Sequence, residues 1–60
     1  MTKQTIVLQR NDEYLIDDGY LIIQDESYRI DDIVPFYNVE SPNDSVILIH
    51  SKDNIISVPL

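Results

Sequence analysis

The chain has 60 residues, no cysteine and a net charge of −7, from eleven acidic and four basic side chains. The lack of cysteine excludes disulfides and thiolate metal sites, and the excess of acids argues against direct binding to nucleic-acid phosphates. The longest apolar runs span four residues, so we expect neither a membrane span nor a signal peptide. A hydrophobic content of 43% is too high for a disordered acidic tail, and we expect one cytoplasmic domain over residues 1–60.

Short β-branched runs separated by turn residues predict a small all-β fold. A first strand is predicted over residues 5–9, with Ile6 and Leu8 on one face. Residues 14–17 and 20–24 flank Asp18-Gly19, which suits the two positive-φ positions of a type I′ hairpin turn. The predicted register pairs Asp17 with Tyr20, and Ile16 with Leu21.

The middle of the chain is less regular. Residues 25–27 are predicted to turn the chain into a strand at 28–30, and residues 31–34 fit either a strand or one helical turn capped by Asp31. Pro35 lacks a backbone donor, so residues 35–39 are predicted to form an edge strand or an irregular crossing.

After a predicted turn at residues 41–44, residues 46–49 and 55–58 are predicted to form a final hairpin. The four consecutive aliphatic residues of its first leg indicate burial on both faces. Five or six strands of this kind fit one small antiparallel sheet or a partly open barrel, which needs cover on at least one face. A second copy could supply that cover, so a homodimer is expected. Its interface would use aliphatic residues such as Ile47, Ile49 and Ile56, which are equally expected to form the core of the monomer.

The sequence gives little support for catalysis or for a bound cofactor. The only histidine, His50, is predicted to lie half-buried at a strand end and has no nucleophile motif near it. If Gly19 is aligned with the glycine of an EF-hand loop, Tyr14 and Ile16 fall at ligand positions, where neither can bind calcium. We therefore expect no enzyme activity, no metal site and no cofactor.

The acidic residues are concentrated in one segment. Residues 12–32 contain eight acids and one base, Arg29, which sum to −7, while the other 39 residues contain three of each and sum to zero. The eight acids form four doublets: Asp12-Glu13, Asp17-Asp18, Asp25-Glu26 and Asp31-Asp32.

Two interpretations of the doublets are open. They can mark solvated turns that suppress aggregation of a sheet protein. Alternatively, they can imitate the phosphates of DNA, because neighbouring strands are about 4.8 Å apart and phosphates follow each other at about 3.4 Å of axial rise. A basic groove that binds DNA would then accept all eight carboxylates.

In size and composition the chain resembles the small, acidic, cysteine-free proteins that bacteriophages make to disable host factors, several of which are DNA mimics. The resemblance implies a stoichiometric inhibitor in the host bacterial cytoplasm, often a homodimer. Its partner would be a basic DNA-binding host protein, for example the histone-like nucleoid protein HU. The alternative function is a protein-interaction module that pairs through a sheet edge at residues 35–39, with the acids serving only solubility.

Overall fold

Turn residues divide the chain into seven short strands in the computed structural model, which describes residues 2–60. Four strands form one sheet in the order β1-β7-β6-β5, and three form a second sheet in the order β2-β3-β4. The strands are β1 Gln4–Val7, β2 Leu15–Asp17, β3 Tyr20–Ile23, β4 Glu26–Arg29, β5 Asp32–Phe36, β6 Val46–His50 and β7 Asn54–Pro59.

The all-β fold is confirmed, but the strands form two sheets and number seven, so the single sheet or partly open barrel of five or six strands is corrected. β1 pairs with β7 in parallel, whereas every other strand pair is antiparallel. The chain also leaves one sheet after Arg29 and enters the other at Asp32. The two residues between β4 and β5 carry no strong turn signal, so the sequence pattern did not predict that these strands belong to different sheets.

The segment near Asp31 is a strand and contains no helical turn. The backbone N–H of Asp31 donates to His50 O at 2.8 Å, and the ladder between β5 and β6 continues from Asp32 to Phe36. The one helical turn that the structure shows in residues 2–60 lies at Pro42–Asp44, within the segment predicted as a turn. Pro42 suits the first turn of a helix because the missing N–H has no intrahelical partner there.

The first hairpin has the predicted register, with Asp17 opposite Tyr20 and Ile16 opposite Leu21. Asp18 and Gly19 take φ values of 50° and 79°, as a type I′ turn requires. The next turn consists of Gln24 and Asp25, so it begins one residue earlier than predicted, and Glu26 and Ser27 belong to β4.

The two sheets pack face to face around a small apolar core. Its buried members are Leu8, Leu21, Ile49, Ile56 and Val58, with partly buried Ile6, Ile23, Tyr28, Ile30 and Ile47 against them. Ile6 and Leu8 share the core side as predicted. Ile49 and Ile56 are only 1% and 0% exposed, so they seal the monomer and are not free to seal a dimer.

The final hairpin of β6 and β7 is confirmed, but its burial is one-sided. Ile49 is buried, whereas Val46 and Leu48 on the opposite face of β6 keep part of their surface exposed. In the described part of the chain, no helix has the length and apolarity needed to cross a bilayer.

Candidate functional site: the acidic three-stranded sheet

All eight acids of residues 12–32 belong to the three-stranded sheet, its connections, or the first residue of β5. Every one of these side chains is exposed. Because eight acids and one base lie in this segment, the whole net charge of −7 lies on this part of the molecule. The strands β1, β6 and β7 carry no acidic side chain, so the other layer is close to neutral.

The antiparallel order β2-β3-β4 divides the four doublets between the two ends of the sheet. Ile30 N–H donates to Gly19 O at 2.9 Å, which places the end of β4 beside the β2–β3 turn. The four acids here, the hairpin-end group, are Asp17, Asp18, Asp31 and Asp32. The four at the opposite end, the groove-end group, are Asp12, Glu13, Asp25 and Glu26.

A strand of four residues rises about 13 Å, which sets the approximate distance between the two groups. Within each group, the acids come from neighbouring strands or turns, about 4.8 Å apart per strand. The doublets therefore form two acidic groups with a gap between them, and not one row along a single end.

The hairpin-end group contains the only base of the acidic segment. Arg29 Nε lies 3.8 Å from Asp31 Oδ1, and both side chains are exposed, so the ion pair contributes little to stability. Asp32 Oδ1 accepts the backbone N–H of Ile33 at 2.9 Å. The β6–β7 turn, which includes Lys52 and Asp53, lies at the same end of the neighbouring sheet because Asp32 pairs with His50.

The groove-end group has no base beside it in the part of the chain that the structure describes. Arg10 is close in sequence, but its guanidinium donates to the carbonyl oxygens of Leu60 and Asn43. Asp12 is held in place because its Oδ2 accepts the N–H of Gln9 at 2.8 Å. These contacts leave the charges of Asp12 and Glu13 free to attract an external cation.

Glu26 has a partner inside its own strand. The hydroxyl of Tyr28 donates to Glu26 Oε2 at 2.7 Å. This hydrogen bond, together with desolvation by burial and repulsion from the Glu26 charge, raises the pKa of Tyr28 above its ordinary value of 10.0. The phenol therefore stays protonated, and keeps donating to Glu26, throughout the physiological range.

A groove of about 470 Å³ opens beside the groove-end group. It is lined by two carboxylates, Asp12 and Glu13, by the ring of Tyr14, and by apolar side chains that include Leu8, Leu15 and Ile23. The sequence pattern did not indicate this groove, because the groove places Leu8, which follows β1, beside Ile22 and Ile23 of β3. Carboxylates beside apolar surface suit a long cationic side chain, whose aliphatic stem packs while its charge is paired.

The described residues give little support for a catalytic or metal site. His50 ends β6 and is half-buried, as predicted, opposite Asp32 and Ile55. Within residues 2–60, no three histidine, aspartate or glutamate side chains are placed so that they could hold a metal ion.

The edge strand β5 is a poor template for another strand. Two of its backbone positions, Ile33 and Pro35, face away from β6: the N–H of Ile33 is taken by the carboxylate of Asp32, and Pro35 has no N–H. This edge offers carbonyl acceptors without free donors at those positions. An added strand could form only part of a ladder here, which weakens the alternative of edge pairing at residues 35–39.

Comparisons with known protein families, with curated proteins and with solved structures find no match to this chain.

Proposed function

We propose that the protein is a DNA mimic, which binds the DNA-binding surface of a basic protein and blocks its access to DNA. The observation that carries this proposal is the concentration of the whole net charge on the three-stranded sheet, its connections and the first residue of β5, as two groups of exposed carboxylates. Charge gathered in this way attracts a basic partner over several ångströms and speeds the encounter. No catalytic step is needed, because one inhibitor molecule occupies one binding surface.

The spacing of the two acidic groups supports imitation of a duplex. They lie about 13 Å apart along the strands, and the two phosphate backbones of B-DNA border a major groove about 12 Å wide. Basic side chains placed to contact both backbones could therefore contact both groups. Imitation of this kind requires a matching charge pattern and does not require any likeness of fold.

The groove beside Asp12 and Glu13 gives the acidic surface an apolar component. An arginine of the partner could lay its stem against Leu8 and Leu15 while its guanidinium pairs with a carboxylate. Such a partly desolvated anchor contributes more binding free energy than exposed ion pairs at the rim. It would also favour protein over free cations such as Mg²⁺.

The partner class follows from the same chemistry together with the resemblance to phage inhibitors. A basic protein that recognises DNA mainly through its phosphate charges is a suitable partner, because this protein has no nucleobases for the partner to recognise. The histone-like nucleoid protein HU, in the cytoplasm of a bacterial host, is the example we propose.

The proposal is tested by competition between this protein and a labelled DNA duplex for purified HU. The wild-type protein should release the duplex at low salt, and release should weaken steeply as salt rises. Two double variants test the two groups separately: Glu13→Gln with Asp25→Asn, and Asp17→Asn with Asp18→Asn. Each should weaken competition by about tenfold or more, since each removes two charges from the contact surface.

The matched control is Glu40→Gln with Asp53→Asn, which removes two charges outside residues 12–32. It should compete nearly as well as the wild type. If this control weakens competition as much as the other pairs do, net charge alone is responsible and the mimicry of DNA is wrong. The same conclusion follows if the wild-type protein fails to release DNA from HU at any salt concentration.

A further inference from the structure

The outer face of the four-stranded sheet, which is turned away from the three-stranded sheet, carries two mainly apolar rows of side chains. Residues directly opposite each other in neighbouring strands share a face, so the registers define this surface. One row consists of Val34, Leu48, Ser57 and Val7, and the next consists of Phe36, Val46 and Pro59. The remaining row, at the other end of this face, consists of Asp32, His50, Ile55 and Thr5 and is polar except for Ile55.

Side chains on this face have substantial exposed surface. Val7, Val34 and Phe36 are 61%, 40% and 56% exposed. An antiparallel sheet with one face in water ordinarily alternates apolar and polar residues, but β6 reads Val-Ile-Leu-Ile and places apolar side chains on both sides. In β6, Ile47 and Ile49 face the monomer core and are covered by it. Val46 and Leu48 face the other way, and none of the described residues 2–60 covers that side.

We propose that a second copy of this chain covers this face, with the two four-stranded sheets packed against each other. This inference goes beyond the proposed function, because it holds whether or not the acidic sheet binds a basic protein. It also replaces the interface that the sequence had indicated, since Ile49 and Ile56 are already buried inside the monomer.

The charge distribution selects this face over the others. Asp32, at one corner, is the one carboxylate that the described chain places on the outer face. Four stacked sheets about 10 Å apart would put the two acidic layers about 30 Å from each other, well beyond the Debye length of about 8 Å. Association through the three-stranded sheets would instead bring two charges of −7 together.

The β5 edge of the sheet offers a poorer route to a dimer. An edge-to-edge contact through β5 would need outward backbone donors at Ile33 and Pro35, and neither has one free. Charged and proline-containing edges of this kind oppose strand pairing between copies. Face-to-face packing uses side chains alone and does not meet this obstacle.

The size of the face sets the expected affinity. Four strands about 4.8 Å apart and five residues at about 3.3 Å give roughly 300 Å² of sheet plane per copy. A standard stable interface buries about 800 Å² per partner, so we expect a weak dimer with a dissociation constant in the micromolar range or above.

Sedimentation equilibrium of the full chain, from about 5 µM to about 500 µM, measures the dimer directly. The wild type should pass from monomer to dimer over this range. Val34→Lys should raise the dissociation constant at least about tenfold, because it buries an unpaired charge in the contact. Leu15→Lys, which makes the same change at an exposed residue of the acidic sheet, should dimerise at least as well as the wild type.

Val34 is exposed in the monomer, so its substitution should leave the fold intact, and amide NMR spectra check this. If Val34→Lys does not fold, Val34→Thr keeps the β-branched shape and should still weaken the dimer. In the wild type, amide signals of Val7, Val34 and Leu48 should change with concentration. A wild type that stays monomeric throughout, or a dimer that Leu15→Lys abolishes and the Val34 variants leave unchanged, would overturn the proposal. Neither result bears on competition for HU, which is measured at concentrations where the chain is monomeric.

Discussion

The two sheets of this protein divide stability and charge between them. The four-stranded sheet contributes Ile49, Ile56 and Val58 to the core, whereas the three-stranded sheet contributes Leu21 as its one fully buried side chain. The three-stranded sheet and its connections, together with Asp32 at the start of β5, in turn contain the whole net charge of −7. In a chain of 60 residues, which buries only about 60% of its unfolded surface, one layer can display charge because the other supplies most of the packing.

If this division is right, the attachment of the acidic sheet depends most on its one fully buried side chain, Leu21. Leu21→Ala should lower the free energy of unfolding by about 3 kcal/mol, since it opens a cavity at a fully buried position. A domain of this length has a total stability of only about 3–9 kcal/mol, so the variant should be partly unfolded at room temperature. Urea unfolding followed by circular dichroism measures the loss.

Ile16→Ala is the matched control, because Ile16 lies directly opposite Leu21 on the same face but is 51% exposed. This substitution should lower the free energy of unfolding by less than about 1 kcal/mol. Equal losses of unfolding free energy in the two variants would mean that the three-stranded sheet does not pack through Leu21. The division of packing and charge between the two sheets would then be wrong.

The parts of the fold that could be predicted from the sequence are those set by local chemistry. Asp18-Gly19 specified both the turn and the register of the first hairpin, because few residues accept two successive positive φ values. Ile6 and Leu8 could be placed on one face because alternation along a strand is local. The acidic residues could also be identified, since charge is a property of composition.

The parts that could not be predicted depend on distant segments. The parallel pairing of β1 with β7 joins residues some fifty positions apart and has no turn to announce it. The division of the doublets between two ends depends on the order β2-β3-β4, which alternates the direction of the chain. The groove beside Asp12 joins Leu8, which follows β1, to Ile23 of β3, so no local pattern could indicate it.

A smaller effect is expected at the turn that positions the hairpin-end group. Gly19→Ala should cost about 1–2 kcal/mol, because φ is +79° there and a side chain in the left-handed region is strained. A Cβ at Gly19 would meet no atom within 4 Å, so this cost comes from the backbone and not from a clash. Asp18→Asn, at the preceding positive-φ position, should be close to neutral. Urea unfolding of both variants checks this, and a Gly19→Ala protein as stable as the wild type would contradict the type I′ geometry.

The smallest effect concerns the one carboxylate of the acidic sheet that accepts a tyrosine hydroxyl. Tyr28 has its pKa raised in the folded state, mainly by its hydrogen bond to Glu26, so this contact stabilises the fold fully at pH values below about 10 and is lost as pH rises through the raised pKa. Glu26→Gln should lower the pKa of Tyr28 and make stability fall less steeply above pH 10. Tyrosinate absorbance measures the titration, with Tyr28→Phe identifying which of the four tyrosines is responsible. An unchanged titration of Tyr28 in Glu26→Gln would mean that the hydroxyl of Tyr28 does not donate to Glu26 in solution.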